Sequence, residues 1–124
     1  MSHVGESHLI IMFTVGVDDV AEGDRIFANH GEWIQAHPRD GDFALLDYSI
    51  SKAPELSNAL DPGSEPTGKT TFVIDEYYAS QAGIAKHWGE TPSWPEWASG
   101  AAQAWIAKAT VTTLHNGTVV QALG

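Results

Sequence analysis

The sequence predicts an α+β domain in which an antiparallel sheet packs against helices on one face. Strand-like apolar segments occur at 9–17, 43–51 and 70–78. Segments with helical periodicity follow the first and the third of them, and two short β-type runs close the chain. The element order is therefore strand, helix, strand, strand, helix, strand, which is typical of α+β domains.

Length and composition limit the classes of function. The 124 residues predict a single domain, 1–124. A net charge of −10 with only six Lys plus Arg cannot neutralise phosphates, so we expect neither a nucleic acid nor an anionic membrane as partner. The chain has no cysteine, which excludes disulfides and cysteine-ligated metals and fits the cytoplasm. Residues 1–8 lack the basic region of a signal peptide, and the longest apolar run, 9–13, is too short to span a bilayer.

The first strand and helix are marked by different apolar patterns. Residues 9–17 are apolar at nearly every position, so we expect both faces of this strand to be buried. The following segment, 19–37, is predicted to be helical because apolar side chains recur there at heptad spacing, at Val20, Phe27 and Ile34.

The middle of the chain is predicted to hold two strands separated by a long surface loop. The strands are 43–51 and 70–78. The stretch 53–69 contains three prolines and two glycines, which is typical of a loop, and long loops in compact domains often cover sites.

The last third is predicted to contain two helical stretches and a hairpin. Ser80 can cap a helix over 80–88, and Pro95 fits the first turn of a second helical stretch over 95–109. The runs 110–114 and 118–123 flank His115-Asn116-Gly117, and Asn-Gly between β-type runs is a strong hairpin signal.

The βαββαβ order is that of the ferredoxin-like fold, with both helices on one face of the sheet. A bare second face would expose a large apolar patch, because Val73 and Tyr77 lie there opposite Phe72 and Ile74. We therefore expect two copies to pack sheet to sheet as a homodimer.

The third strand carries two carboxylates that belong to opposite faces. Side chains alternate along a strand, so Asp75 shares a face with Tyr77, and Glu76 shares the other face with Tyr78. Burial raises a carboxyl pKa, which can produce a general acid or base at either position. The ordinary alternative is a carboxylate at the end of a strand, bound by solvent or a hydrogen bond.

Histidines lie on both predicted helices. His87 follows Ile84 by three residues, so it borders an apolar face of its helix. A neutral imidazole there can orient a substrate, move a proton or bind haem iron. The alternative is a hydrogen-bonded histidine at the edge of the core. On the first helix His30, Trp33 and His37 form a stripe. His30 and His37 are separated by about 10.5 Å of helix rise and cannot share one ion directly, so we expect no metal site and regard an amphipathic rim as the simpler interpretation.

Five tryptophans are a heavy aromatic content for this chain. Aromatic walls suit flat, apolar ligands. Trp94 lies between Pro92 and Pro95 and is the best candidate for a pocket wall, whereas Trp97 and Trp105 are expected in the core. No glycine-rich phosphate loop follows a strand, which argues against nucleotide chemistry.

In element order, and most of all over residues 72–94, the chain resembles the antibiotic biosynthesis monooxygenase-like family of the dimeric α+β barrel superfamily. The resemblance implies a homodimer with a pocket between sheet and helices in each subunit. It also implies a cofactor-independent monooxygenase that oxidises a phenolic or quinone-like aromatic substrate with molecular oxygen, with no cofactor.

The resemblance also implies site residues. Tyr77 stands ten positions before the helix histidine, His87, where the family often has tryptophan. These two side chains are therefore expected to share one hollow, with Asp75 on the same strand face. In our own hypothesis Asp75 or His30 assists them as a catalytic group. The expected substrate-binding set is Trp33, Trp88, Trp94, His37 and Glu76. The first strand lacks the asparagine of the haem-degrading branch, and Ser93-Trp94 replaces the usual histidine–phenylalanine pair. An isomerase or cyclase, or a non-catalytic protein that binds haem or another flat ligand, remains an alternative.

Overall fold

A computed structural model of the chain describes residues 3–123. Met1, Ser2 and Gly124 lie outside the described residues, and the first two of them belong to the segment considered above for a signal peptide. The helices and strands in chain order are β1 (Ser7–Val15), α1 (Val20–Trp33), β2 (Leu45–Leu56), β3 (Pro66–Tyr78), α2 (Gln81–Glu90), α3 (Pro95–Ala98), α4 (Ala101–Ile106) and β4 (Thr110–Thr118). Single 3-10 turns precede α1 (Val17–Asp19), follow it (Ile34–Ala36) and follow α2 (Thr91–Ser93).

The four strands form one sheet in the order β2-β3-β1-β4. Every neighbouring pair is antiparallel. In this order β3, from the second half of the βαββαβ chain, lies between β1 and β2 from the first half. The predicted ferredoxin-like α+β class is therefore confirmed.

The strand β1 shows how the sheet divides into a covered and an open face. Leu9, Ile11 and Phe13 are buried beneath the helices, but Met12, on the opposite face, keeps 40% of its surface exposed. In the single chain the helices cover one face only, so burial of the second face stays a prediction that depends on the expected second copy.

Close helix packing on the covered face depends on a glycine. A Cβ atom at Gly23 of α1 would lie 2.7 Å from Cζ2 of Trp105 and 2.9 Å from Cζ of Phe72. The aromatic rings of Phe27 and Phe72 have centroids 5.3 Å apart, and Phe27 meets Trp105 edge-on at 5.4 Å. This cluster joins α1 and α4 to the sheet.

The predicted loop over 53–69 is mostly a β-arm. The strand β2 runs to Leu56 and β3 begins at Pro66, with these two residues paired, so only residues 57–65 form the connection. Pro54 misled the prediction because β2 is an edge strand, where a missing N–H on the outer side costs no ladder hydrogen bond. Pro66 is tolerated as the first residue of β3.

The predicted C-terminal hairpin is also wrong. The strand β4 continues through His115-Asn116-Gly117, and its pairing with β1 shifts register between His8 and Ile10. Asn116 has a φ of 53°, so the left-handed conformation that a hairpin turn needs is used here in a β-bulge.

The predicted helix over 95–109 is divided into α3 and α4 by Gly100, which has a φ of +87°. This break leaves the indoles of Trp97 and Trp105 on separate short helices. Within residues 3–123, no helix is long and apolar enough to cross a bilayer.

Candidate active site

The centre of the site is Glu76, which β3 directs to the helix-covered face. It lies on the same face as Phe72 and Ile74, two positions apart along the strand, and it is fully buried, with 0% of its surface exposed. The strand period of two therefore carries an acidic side chain into the apolar core.

Only one oxygen of the Glu76 carboxyl group has a hydrogen bond. The Tyr78 hydroxyl donates to Oε1 at 2.7 Å, whereas Oε2 is buried and has no hydrogen-bond partner within residues 3–123. Burial raises the pKa of Glu76 to about 7; the Tyr78 hydrogen bond opposes this rise and the charge of Asp75 adds to it. Near neutral pH, the group can therefore both accept and donate a proton.

His30 enters the site from α1. Its Nδ1 is 2.8 Å from the hydroxyl of Tyr48, a β2 side chain in register with Glu76. Burial, with a smaller effect of His37, lowers the pKa of His30 to about 4, so the ring is neutral at neutral pH.

His37 and His87 form a buried hydrogen-bonded pair. Nε2 of His37 lies 2.9 Å from Nδ1 of His87. Burial lowers the pKa of both rings. The pKa of His87 falls to about 3, with a smaller lowering from His37 and His30. At His37 the charge of Glu90 opposes the effect of burial. One ring must donate and the other accept, so the hydrogen bond ties the tautomer of His87 to that of His37.

A small cavity of about 40 Å³ lies between the sheet and the helices. Glu76, His30, His87 and Thr91 are the polar side chains in its lining. The rest of the lining is apolar, with four indoles, those of Trp88, Trp94, Trp97 and Trp105. A volume of this size holds water molecules but no aromatic ring, since an engineered cavity that binds benzene has about 150 Å³.

The tryptophans divide into wall, support and core. Trp94 lines the cavity as expected, with its ring 4.9 Å from that of His30, and its Nε1 donates to Asn29 Oδ1 at 2.8 Å. Trp33 is not part of the cavity lining and instead packs against His37, with ring centroids 4.7 Å apart. Trp105 is buried in the core and Trp97 is half-buried, and both also reach the cavity.

The expectation that Tyr77 and His87 share one hollow is wrong. Tyr77 lies on the open face of the sheet, stacked between His3 and His8 at centroid distances of 4.0 and 4.1 Å. Asp75 lies on that face too, with Oδ1 2.6 Å from Nε2 of His8. The reason is alternation: if Glu76 faces the helices, its neighbours in sequence must face away.

The structure thus brings together seven of the expected residues: His30, Trp33, His37, Glu76, His87, Trp88 and Trp94. Sequence reasoning missed Tyr48 and Tyr78, which hold His30 and Glu76 in place. The signal was present in β3, since Glu76 and Tyr78 continue the alternation of Phe72 and Ile74. The alignment with a family tryptophan drew attention to Tyr77 instead.

His30, Glu76 and His87 are also the described residues that could hold a metal ion. Each offers one ligand atom, and the three atoms lie within 4.8 Å of one another. Two imidazoles and a carboxylate suit transition metals.

Comparison with known proteins defines the fold. No family profile matches the chain, and no curated protein matches it. A crystal structure from Deinococcus radiodurans, of a protein described as a candidate antibiotic biosynthesis monooxygenase, is similar to this chain with a TM-score of 0.54. The sequence identity is 16%, and the match covers 95% of this chain and 99% of the other. The chain therefore shares the α+β fold of that protein, and fold alone does not specify activity.

Proposed function

We propose that the chain is a small-molecule enzyme that oxidises an activated phenolic or quinone-like substrate with molecular oxygen and no cofactor, in the cavity beside Glu76. The observation that carries this proposal is the unpartnered, fully buried Oε2 of Glu76 within an apolar, indole-walled cavity. A buried carboxyl group with a pKa near neutrality is suited to take a proton from a weak carbon or phenol acid.

The proposed reaction begins when Glu76 removes a proton from an activated CH₂ group of the substrate. The carbanion supplies electrons to O₂, and a C–O bond forms to give a peroxide, which takes up the proton. Loss of water from this hydroperoxide leaves a carbonyl, so CH₂ and O₂ become C=O and H₂O, and all four electrons come from the substrate. The apolar walls exclude bulk water from the anion.

His87 is proposed to stabilise the substrate oxyanion. When His37 donates its Nε2–H to Nδ1 of His87, the proton of His87 is on Nε2 and is available to the ligand. Tyr48 orients the His30 ring through its hydroxyl, which fixes a second polar wall of the cavity.

The cavity must enlarge before a ring can enter, because about 40 Å³ is far below the space that benzene needs. Trp97 is the proposed movable wall, since it is half-buried and lies on the four-residue helix α3. Trp97→Ala should therefore admit larger substrates and lower their KM. An unchanged substrate range would show that another segment opens the site.

Oxygen uptake tests the proposal directly. Wild-type protein in EDTA-treated buffer should consume oxygen with a panel of phenols and anthrones, and Glu76→Gln should lower kcat by about 10²–10⁴-fold, the usual contribution of a general base. Glu65→Gln, at an exposed position in the β2–β3 connection, is the matched control and should retain activity. If Tyr77→Phe abolishes uptake and Glu76→Gln does not, the assignment of the proton acceptor is wrong.

The same proton acceptor could also serve an isomerase or cyclase, since proton transfer alone needs no oxygen. Product formation under strict anaerobiosis would support this second function and exclude the oxygenase. The small cavity volume argues against a resident haem.

A homodimer is part of the proposal. The open face of the sheet carries Met12, 40% exposed, and Leu114, 45% exposed, and a second copy would cover them. Light scattering should give twice the chain mass, and Met12→Lys should shift it toward the monomer. A monomeric wild type would refute this part.

The cytoplasmic location is proposed on the absence of cysteine.

A further inference from the structure

We propose that His30, Glu76 and His87 form a binding site for one divalent transition-metal ion. One ligand atom from each of the three buried residues lies within 4.8 Å of the other two. They come from α1, β3 and α2, so the fold, and no local sequence motif, assembles the set.

The hydrogen bonds assign the ligand atoms. Nδ1 of His30 is bonded to Tyr48, Nδ1 of His87 is bonded to His37, and Oε1 of Glu76 accepts from Tyr78. Among the described residues these bonds leave Nε2 of each ring and Oε2 of the carboxyl group for an ion. Oε2 is the one buried side-chain oxygen or nitrogen in residues 3–123 that has no partner.

This independent observation favours a ligand, because a buried oxygen without a hydrogen-bond partner destabilises the folded chain unless something binds it.

The surrounding contacts are those of a metal site. Ligating histidines almost always bond their second nitrogen to an outer group, which fixes the tautomer and the ring orientation. Here Tyr48 and His37 fill that position for the two rings, and Tyr78 does so for the carboxyl group.

The donor set specifies the class of ion. Two imidazoles with one carboxylate suit Fe²⁺, Co²⁺ or Zn²⁺, and Mg²⁺ and Ca²⁺ prefer oxygen-only sites. Ligand atoms about 2.1 Å from one ion lie about 3.4 Å apart in tetrahedral geometry, so the three groups must move inward by about an ångström. The adjoining cavity of about 40 Å³ leaves space for a water molecule as a further ligand.

Metal binding goes beyond the proposed oxygenase and does not rest on it. An ion on Oε2 would occupy the atom that is proposed to take the substrate proton, so saturating metal should inhibit the cofactor-independent reaction. The two proposals can therefore fail separately. The absence of oxygen uptake in EDTA would refute the oxygenase, and the absence of metal binding in a direct titration would refute the metal site.

Cobalt is the probe for the test. Chelator-treated protein titrated with Co²⁺ should bind one ion per chain, with ligand-field absorption and an X-ray absorption spectrum that shows two imidazole ligands. Glu76→Gln and His87→Ala should each weaken binding more than 100-fold, and Tyr48→Phe about 10–100-fold, as expected for an outer partner.

His8→Ala is the matched control, since His8 belongs to the cluster on the opposite face and its loss should leave Co²⁺ binding unchanged. Circular dichroism checks that each variant is folded. If a variant is unfolded, the X-ray absorption spectrum of the wild type decides alone. No stoichiometric binding by wild type, a spectrum without imidazole ligands, or a loss of binding in His8→Ala would overturn the site.

Discussion

Replacing Glu76 by glutamine should change how the stability of the protein depends on pH. The unfolding free energy of the variant, relative to that of wild type, should be higher at alkaline pH than at acidic pH. Glutamine keeps the shape of the side chain and the oxygen that accepts from Tyr78, but it cannot ionise. The variant therefore isolates the free energy of ionising one fully buried carboxyl group.

The magnitude follows from the pKa of Glu76, which burial raises from 4.5 to about 7. Between these values the unfolded chain has lost this proton and the folded chain keeps it, so wild-type stability falls as pH rises from 4.5 through 7. The full loss corresponds to about 3 kcal/mol, at 1.36 kcal/mol for each pH unit between the two pKa values. The glutamine variant does not suffer this loss.

Urea unfolding followed by tryptophan fluorescence at pH 4.5, 6, 7 and 8, in EDTA, measures the effect. The difference in unfolding free energy between Glu76→Gln and wild type should grow by about 3 kcal/mol toward pH 8. Glu65→Gln, at an exposed position, should show no such growth. A difference for Glu76→Gln that stays constant over this range would refute the buried, protonated carboxyl group.

Two further predictions concern the histidines and the helix contact. In the Glu76→Gln background, the unfolding free energy should fall as pH drops below 6.5, by up to about 1.4 kcal/mol per pH unit for each ring. The reason is that the unfolded chain protonates His30 and His87 near pH 6.5, whereas the folded chain protonates them only near pH 4 and pH 3. Gly23→Ala should lower the unfolding free energy by about 1–3 kcal/mol, because the added Cβ would lie 2.7 Å from Trp105; thermal unfolding measures it.

Each of these predictions has a control. Gly89→Ala, in α2, is the match for Gly23→Ala, since nothing lies within 4 Å of its added Cβ, and it should be neutral or stabilise by up to about 1 kcal/mol. Equal destabilisation by both changes would contradict the packing argument. For the histidines, a flat stability profile between pH 6.5 and 4 would show that the rings are not buried in their neutral form.

Local patterns in the sequence were sufficient to predict the order of strands and helices along the chain. Apolar side chains alternate along β3 and recur at helical spacing in α1, and these two periods identify strand and helix. The βαββαβ order that results is the one that forms the observed sheet. Strand ends were harder to predict. Pro54 and Asn116 carry turn signals, yet the first lies on an edge strand and the second in a bulge, because strand pairing outweighs local preference there.

Sequence patterns alone placed Glu76 and Asp75 on opposite faces of one strand, and His30 and His87 on helices. The predicted helix over 19–37 was too long, since α1 ends at Trp33 and His37 follows the 3-10 turn in extended backbone. Which of the two strand faces the helices cover became clear from the three-dimensional packing, which buries Glu76 with His30 and His87 and leaves Tyr77 on the open face. The physical reason is that alternation is symmetric: it separates two faces of a strand, but the packing of distant helices decides which face lies against the core.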